Sequence, residues 1–264
     1  MENVAIFGTG LIGASFALAI KAAGFKGRVL GVSSPGAIRD ALACGAIDAE
    51  ATAEEAAGNC DLAYLAQPIG RIIATLETVG HRFRPSCIVT DAGSTKVEID
   101  AAARRHVTNA QFVGGHPLAG KETRGAREAD ANLFRGRTYV LTGPPPAELL
   151  RCIEAIGARP VIMRPEEHDR VVALTSHLPQ LISTTLAGTV AGEDLTVSGP
   201  GLADMLRLAG SSWDVWEDIL RTNTGQVAAA LDNYIARLQQ LRAKLPDLKA
   251  EFERANAVPK PGRR

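Results

Sequence analysis

The sequence predicts an α/β chain: a doubly wound, mostly parallel Rossmann-type sheet followed by a second, all-helical domain. Three observations predict it. Up to about residue 164, short apolar runs alternate with helix-length periodic stretches, the pattern of βαβ units with helices on both faces. The first apolar run leads straight into Gly8-Thr9-Gly10-Leu11-Ile12-Gly13, a glycine-rich turn that opens a helix. Beyond Arg164 the strand signal stops, and helical periodicity takes over.

Taken in order, strands are expected at 3–7, 28–32, 62–66, 87–90, 112–114, 138–142 and 160–163, with helical segments such as 12–23, 37–43 and 69–79 between them. Right-handed crossovers then give the doubly wound arrangement. Pro165 suits a helix's first turn, with Glu166, Glu167 and Asp169 near its positive end. Pro179 should bend or break that long helix near its middle. The loop Ser198-Gly199-Pro200-Gly201 precedes a short helix over 202–209. Leu231, Tyr234, Leu238, Leu241, Leu245, Leu248 and Phe252 alternate at three and four, a heptad-like stripe interrupted by Pro246. Such a stripe packs into its own bundle or forms a dimer seam; a homodimer through these C-terminal helices is expected. The domains are thus 1–164 for the dinucleotide and 165–257 for substrate and dimerisation, with a disordered tail at 258–264.

The 264 residues suffice for a large domain or two modest ones, and 46% apolar with 22% charged residues is ordinary globular composition. Lys plus Arg (29) balances Asp plus Glu (29), so no broad field draws nucleic acid or an anionic membrane. The apolar runs are too short to span a bilayer, and Met1-Glu2-Asn3 opens no secretory signal; a cytoplasmic protein is expected. Cys44, Cys60, Cys87 and Cys152 are irregularly spaced, without CxxC or a histidine pattern, so reduced thiols and no metal are expected.

The glycine turn is read as a dinucleotide site. Gly8 makes the tight turn, Gly10 admits the pyrophosphate, and Gly13 lets the helix approach the sheet, while amides around Leu11 and Ile12 face the phosphates. An acidic residue is usual at the end of the second strand, where it holds the ribose. Here Ser33 and Ser34 stand instead. A hydroxyl can donate to a 2′-phosphate and Arg39 can supply charge, which favours NADP over NAD. Gln67-Pro68 would pass the nicotinamide. Asp91-Ala92-Gly93-Ser94-Thr95-Lys96 and Gly114-Gly115-His116-Pro117-Leu118-Ala119-Gly120 both end strands at the same crevice. Asp91 and Ser94 are placed on the cofactor side.

A dehydrogenase acting on an alcohol needs a base, and imidazole titrates near neutrality. Of five histidines, His116 at a glycine-flanked strand end is the strongest candidate; His81 and His106 look solvated. His168 and His177, nine residues apart, would fall on nearly opposite faces of a regular helix. Taken alone, His177 reads as a hydrogen-bonded core residue.

The glycine motif followed by Ser15, the segments 91–96 and 114–120, Glu167-His168-Asp169, Ser176-His177-Leu178-Pro179, and 201–209 followed by Trp216 together resemble the prephenate/arogenate dehydrogenase family. The resemblance runs from residue 1 to about 245. It implies oxidative decarboxylation in tyrosine biosynthesis, of prephenate to 4-hydroxyphenylpyruvate or, as the alternative, of arogenate to tyrosine. It implies that His116 accepts the C4 hydroxyl proton, that Ser94 hydrogen-bonds both, and that Arg207 holds a substrate carboxylate. It places His177, Glu122, Asp204 and Trp216 around the substrate. Without the resemblance, Arg207 would read as a surface arginine paired with Asp204 or Asp218. Ser33 and Lys121 depart from the family pattern; a cation at Lys121 would favour prephenate, with its pyruvyl carboxylate, over zwitterionic arogenate. No appended mutase or regulatory domain is expected. A β-hydroxyacid dehydrogenase would rely on a helix-borne lysine rather than a Ser94/His116 pair, and a dinucleotide sensor on a retired enzyme fold would need neither.

Overall fold

The computed structural model describes residues 1–259. Strands β1 (Asn3–Phe7), β2 (Arg28–Val32), β3 (Ala49–Glu50), β4 (Leu62–Leu65), β5 (Ile88–Asp91) and β6 (Gln111–Val113) pair in parallel in the spatial order β3-β2-β1-β4-β5-β6. Helices α1 (Leu11–Ala22), α2 (Pro35–Ala43), α3 (Ala53–Asn59), α4 (Ile69–Val79) and α5 (Val97–His106) make the crossovers. The strand order reverses between β1 and β4, so a crevice opens at their carboxyl ends.

Alternation with period two decides which face each strand residue enters. Val4, Ile6, Leu62 and Tyr64 join one core, whereas Ala5, Phe7, Ala63 and Leu65 join the other. Each large side chain fully buried this way contributes about 1.5–3 kcal/mol.

The later strands depart from a single sheet. β7 (Gly115–Pro117), β8 (Thr138–Leu141) and β9 (Arg159–Ile162), with α6 (Ala147–Ala155) between the last two, form a separate three-stranded sheet. β7 runs antiparallel to β8, and β8 parallel to β9. The Gly114-Gly115 step lets the chain leave β6 and cross over β5: a Cβ at Gly115 would meet the Asp91 carbonyl oxygen at 2.4 Å. Phe16 stacks on Tyr64 with ring centroids 3.8 Å apart, and the Tyr139 hydroxyl reaches that of Tyr64 at 3.2 Å, which joins the two sheets.

The helical half comprises α7 (Pro165–Val172), a π-helical turn (Ala173–His177), α8 (Leu178–Thr189), α9 (Pro200–Leu206), α10 (Trp213–Thr222), α11 (Thr224–Ala243) and α12 (Lys249–Asn256). Pro179 sits in the first turn of α8, where its missing N–H is tolerated, and the break before it is the π turn. α9 begins at Pro200 and ends before Arg207, earlier at both ends than the expected 202–209. Leu231 and Tyr234 pack against Val227, Ala230, Ala173 and Leu178, whereas Leu238, Leu241, Leu245 and Phe252 stay exposed. From Lys260 onward the expected disordered tail lies outside the described residues. Among the described residues, no helix is long and apolar enough to cross a membrane.

Candidate active site

The crevice begins at the glycine turn. Gly8 takes φ +91°, a left-handed conformation, and a Cβ at Gly13 would lie 2.0 Å from the Gly8 carbonyl oxygen. Gly10 by contrast faces open space. No side chain caps α1, so its first amides are free to face an anion. These features fit a pyrophosphate. At the end of β2, Ser34 takes the N-cap position of α2, yet its side chain makes no cap bond. Ser33 is half-buried, and Arg39 is exposed on the same helix with its guanidinium turned back toward Gly36.

A cavity of about 260 Å³ adjoins the turn, walled by Ile12, Gln67, Pro68 and Ser94 on one side and by Asp214 and Val215 of α10 on the other. The Thr75 hydroxyl donates to the Gln67 side-chain carbonyl at 2.9 Å and fixes that amide. A second cavity, of about 580 Å³, shares Val215 and is lined by Lys121, Glu122, Arg124, Arg207 and Trp216. Arg207 occupies the short turn after α9 and has no ion-pair partner among the described residues; neither Asp204 nor Asp218 pairs with it. An unpaired guanidinium beside a cavity is ready for a carboxylate. The Lys121 ammonium, on the same cavity's lining, donates to the Glu128 carbonyl at 3.0 Å and lies 3.4 Å from Asp130. Asp204 is exposed and lines neither cavity.

His116 lies on β7, and its orientation comes from the helical half. Its Nδ1 is 2.9 Å from His168 Nε2, and His168 Nδ1 is 2.7 Å from Asp169 Oδ1. The Asp169 carboxylate also accepts from the backbone N–H groups of Lys96 (2.7 Å) and Val97 (3.0 Å). An acceptor at Asp169 assigns the proton of His168 to Nδ1, which leaves its Nε2 to accept. His116 therefore donates from Nδ1, and its Nε2 carries a free lone pair. Burial, then the neighbouring His168, Lys96 and His177, hold the His116 imidazole well below the ordinary histidine range. The ring is thus a neutral proton acceptor.

Three expectations are corrected by this geometry. No Ser94–His116 hydrogen bond forms among the described residues; Ser94 stays on the cavity wall, and His168 holds the ring. Asp91 does not face a cofactor: it is fully buried, with its oxygens taken by the Gly93 and Gly115 amides and by Lys96. His168 and His177 do not point to opposite sides. The π turn between them lengthens the helical repeat and turns both rings inward, His177 edge-on to Trp216 with centroids 5.8 Å apart. Asn223 donates to the Asp169 carbonyl at 2.8 Å and lies 3.3 Å from His177 Nδ1.

Residues 16–161 match the family model described as prephenate dehydrogenase, nucleotide-binding domain, and 164–254 the one described as prephenate dehydrogenase, dimerization domain. This chain belongs to the prephenate dehydrogenase family. A prephenate dehydrogenase of Lactococcus lactis is 31% identical over 256 residues, 93% of this chain and 72% of that protein. The crystal structure of A. aeolicus prephenate dehydrogenase in complex with hydroxyphenyl propionate and NAD+ superposes with a TM-score of 0.89 at 28% identity, covering 97% of this chain and 96% of that one. Synechocystis arogenate dehydrogenase gives 0.83 at 29%, covering 96% and 97%.

Sequence reasoning missed His168, Asp169 and Lys96 as supports of the site, and Arg124 as a cavity residue. Glu167-His168-Asp169 carried a signal, an imidazole adjacent to a carboxylate. Its partner was hidden, because the His116 contact spans 52 residues.

Proposed function

We propose that this chain is a prephenate dehydrogenase that converts prephenate to 4-hydroxyphenylpyruvate, with hydride transfer to a nicotinamide and loss of carbon dioxide. The observation that carries the reading is the tautomer chain from Asp169 through His168, which leaves His116 Nε2 as a free base. When bound at the glycine turn, the nicotinamide supplies the hydride acceptor. His116 takes the C4 hydroxyl proton as the C4–H bond breaks. His168 Nε2 accepts a hydrogen bond from His116 Nδ1–H and so stabilises the charge that develops on the ring. Arg207 holds a substrate carboxylate, and Trp216 and Glu122 line the cavity beside it. The C1–carboxylate bond then breaks, its electrons pass through the ring to the C4 oxygen, which recovers the proton from His116, and aromatisation drives the step. Ser94 is assigned the C4 hydroxyl as a hydrogen-bond partner from its place on the cavity wall.

NADP is the preferred cofactor on this reading. Ser33 and Ser34 leave no carboxylate at the end of β2 to repel a 2′-phosphate, and Arg39 brings a cation. The working unit is a homodimer joined through the exposed half of the α11–α12 stripe. Of the two domains, 1–164 holds the cofactor and brings His116, Ser94 and Glu122 to the substrate, and 165–257 brings Arg207 and Trp216.

Rates with prephenate and arogenate, each with NADP and NAD, test the assignment through absorbance of the reduced nicotinamide. Prephenate with NADP should give the highest kcat/KM; no turnover with any combination would overturn the reading. In His116→Asn, kcat should fall by roughly 10²- to 10⁴-fold with cofactor affinity unchanged.

A further inference from the structure

Beneath the site lies a buried ion pair that the chemistry above leaves without a task. Lys96 and Asp91 are both fully enclosed and pair with each other. Asp91 also accepts from Gly93 N–H at 2.7 Å and from Gly115 N–H at 3.0 Å, while the Lys96 ammonium donates to the Gly115 carbonyl at 2.7 Å. Gly93 directly precedes Ser94, and Gly115 directly precedes His116. The backbone N–H of Lys96 is held by Asp169, the carboxylate that orients His168. Withdrawing two charges from water costs about as much as their attraction returns, so a buried pair of this kind is weak evidence of stabilisation. Its three backbone contacts instead all fall next to the groups that face the substrate.

We propose that Lys96 is a positioning residue of the dehydrogenase reaction, clamping the Ser94 loop and the His116 strand in one register and placing a fixed cation one residue from the base. The inference rests on the reading of His116 as that base. The groups facing His116 are His168 from α7, His177 from the π turn and Lys96 ahead of α5, with Asp91 and Asp169 partly offsetting the last. A cation here disfavours a second proton on the imidazole. Its removal should let His116 protonate at higher pH.

The test is Lys96→Met, with folding followed by circular dichroism and NADP binding by fluorescence, and kcat/KM measured across pH. The expected result is a folded protein that binds NADP within about twofold of wild type while kcat falls at least tenfold. The acid limb of its pH profile should move upward by about half a unit or more. A folded variant with wild-type kcat and an unmoved limb would overturn the proposal, since packing alone would not link Lys96 to the base. If Lys96→Met does not fold, Asp91→Asn/Lys96→Met removes the clamp and both charges together and is read by kcat and NADP binding alone, a wild-type kcat overturning the proposal. Failure of both to fold would also overturn it, by making the pair a requirement of folding with no separable effect on the site. His116→Asn run in parallel keeps the two readings apart. Full activity there would discard the base assignment itself, whereas an inactive His116→Asn beside an unaltered Lys96→Met would discard only the role of Lys96.

Discussion

At the scale of single residues, the tautomer of His116 is decided by two side chains on another element. Replacing His168 with Phe keeps a ring of similar bulk but removes the acceptor for His116 Nδ1–H. The base would then lose its tautomeric bias and its support. We expect kcat to fall by about 10- to 100-fold, less than for loss of a positioned base itself, with the KM for prephenate little changed; steady-state kinetics with a thermal melt checks this. Arg207→Gln should act the other way, raising KM more than it lowers kcat, because the guanidinium contributes ground-state binding. His116 was legible in the sequence because glycines and a proline at a strand end leave a histidine little structural purpose. Asp91 was misread for a related reason: a carboxylate at a strand end commonly meets a ligand, and nothing local reveals that Lys96 turns back beneath it.

At the scale of elements, five-residue strands read from apolar runs were legible to within a residue, as β1 and β2 show. β3 has two residues and β7 three, too short for any period to register. The division into two sheets is a long-range choice set by the Gly114-Gly115 crossing. The π turn was equally silent, since Pro179 announces a break without its geometry. That turn buries His177, whose pKa burial pushes down to about 4 from an ordinary 6.5. In the folded chain this ring stays neutral where the unfolded chain takes up a proton. Stability is therefore unaffected above about pH 6.5 and is lost as pH falls toward 4, by up to about 3 kcal/mol from this residue; His116 acts in the same direction. Thermal melts between pH 7 and 4 should show the decline, and His177→Asn should flatten it. α8 also steadies the turn that carries Arg207: the Ser183 hydroxyl donates to the Met205 carbonyl at 2.6 Å, and the Gln180 amide to that of Leu208 at 2.8 Å. Ser183→Ala should raise the KM for prephenate several-fold while leaving NADP binding unchanged, as measured by fluorescence titration.

At the scale of the whole molecule, the stripe on α11 and α12 is only half used within one chain. Phe252 is 66% and Leu245 61% exposed, although both continue the row begun by the packed Leu231 and Tyr234. Placing charge there, as in Leu238→Glu/Leu245→Glu, should convert a dimer to monomers in analytical ultracentrifugation; an unchanged sedimentation coefficient would rule this seam out. The heptad was legible, but its division into a packed half and an exposed half depended on packing partners far along the chain.

The two halves also meet through helix ends. Neither α4 nor α5 has a side-chain cap of its own, and each receives one from the helical half. Asp218 accepts from Gly70 N–H at 2.7 Å, and Asp169 from the amides of Lys96 and Val97. Swinging the halves apart would bare both helix starts, at about 1 kcal/mol each, and would detach Asp169 from the segment beside Ser94. Hinged gaping is therefore an unfavourable way to admit prephenate. A path past the crevice's solvent-facing rim would leave both caps in place.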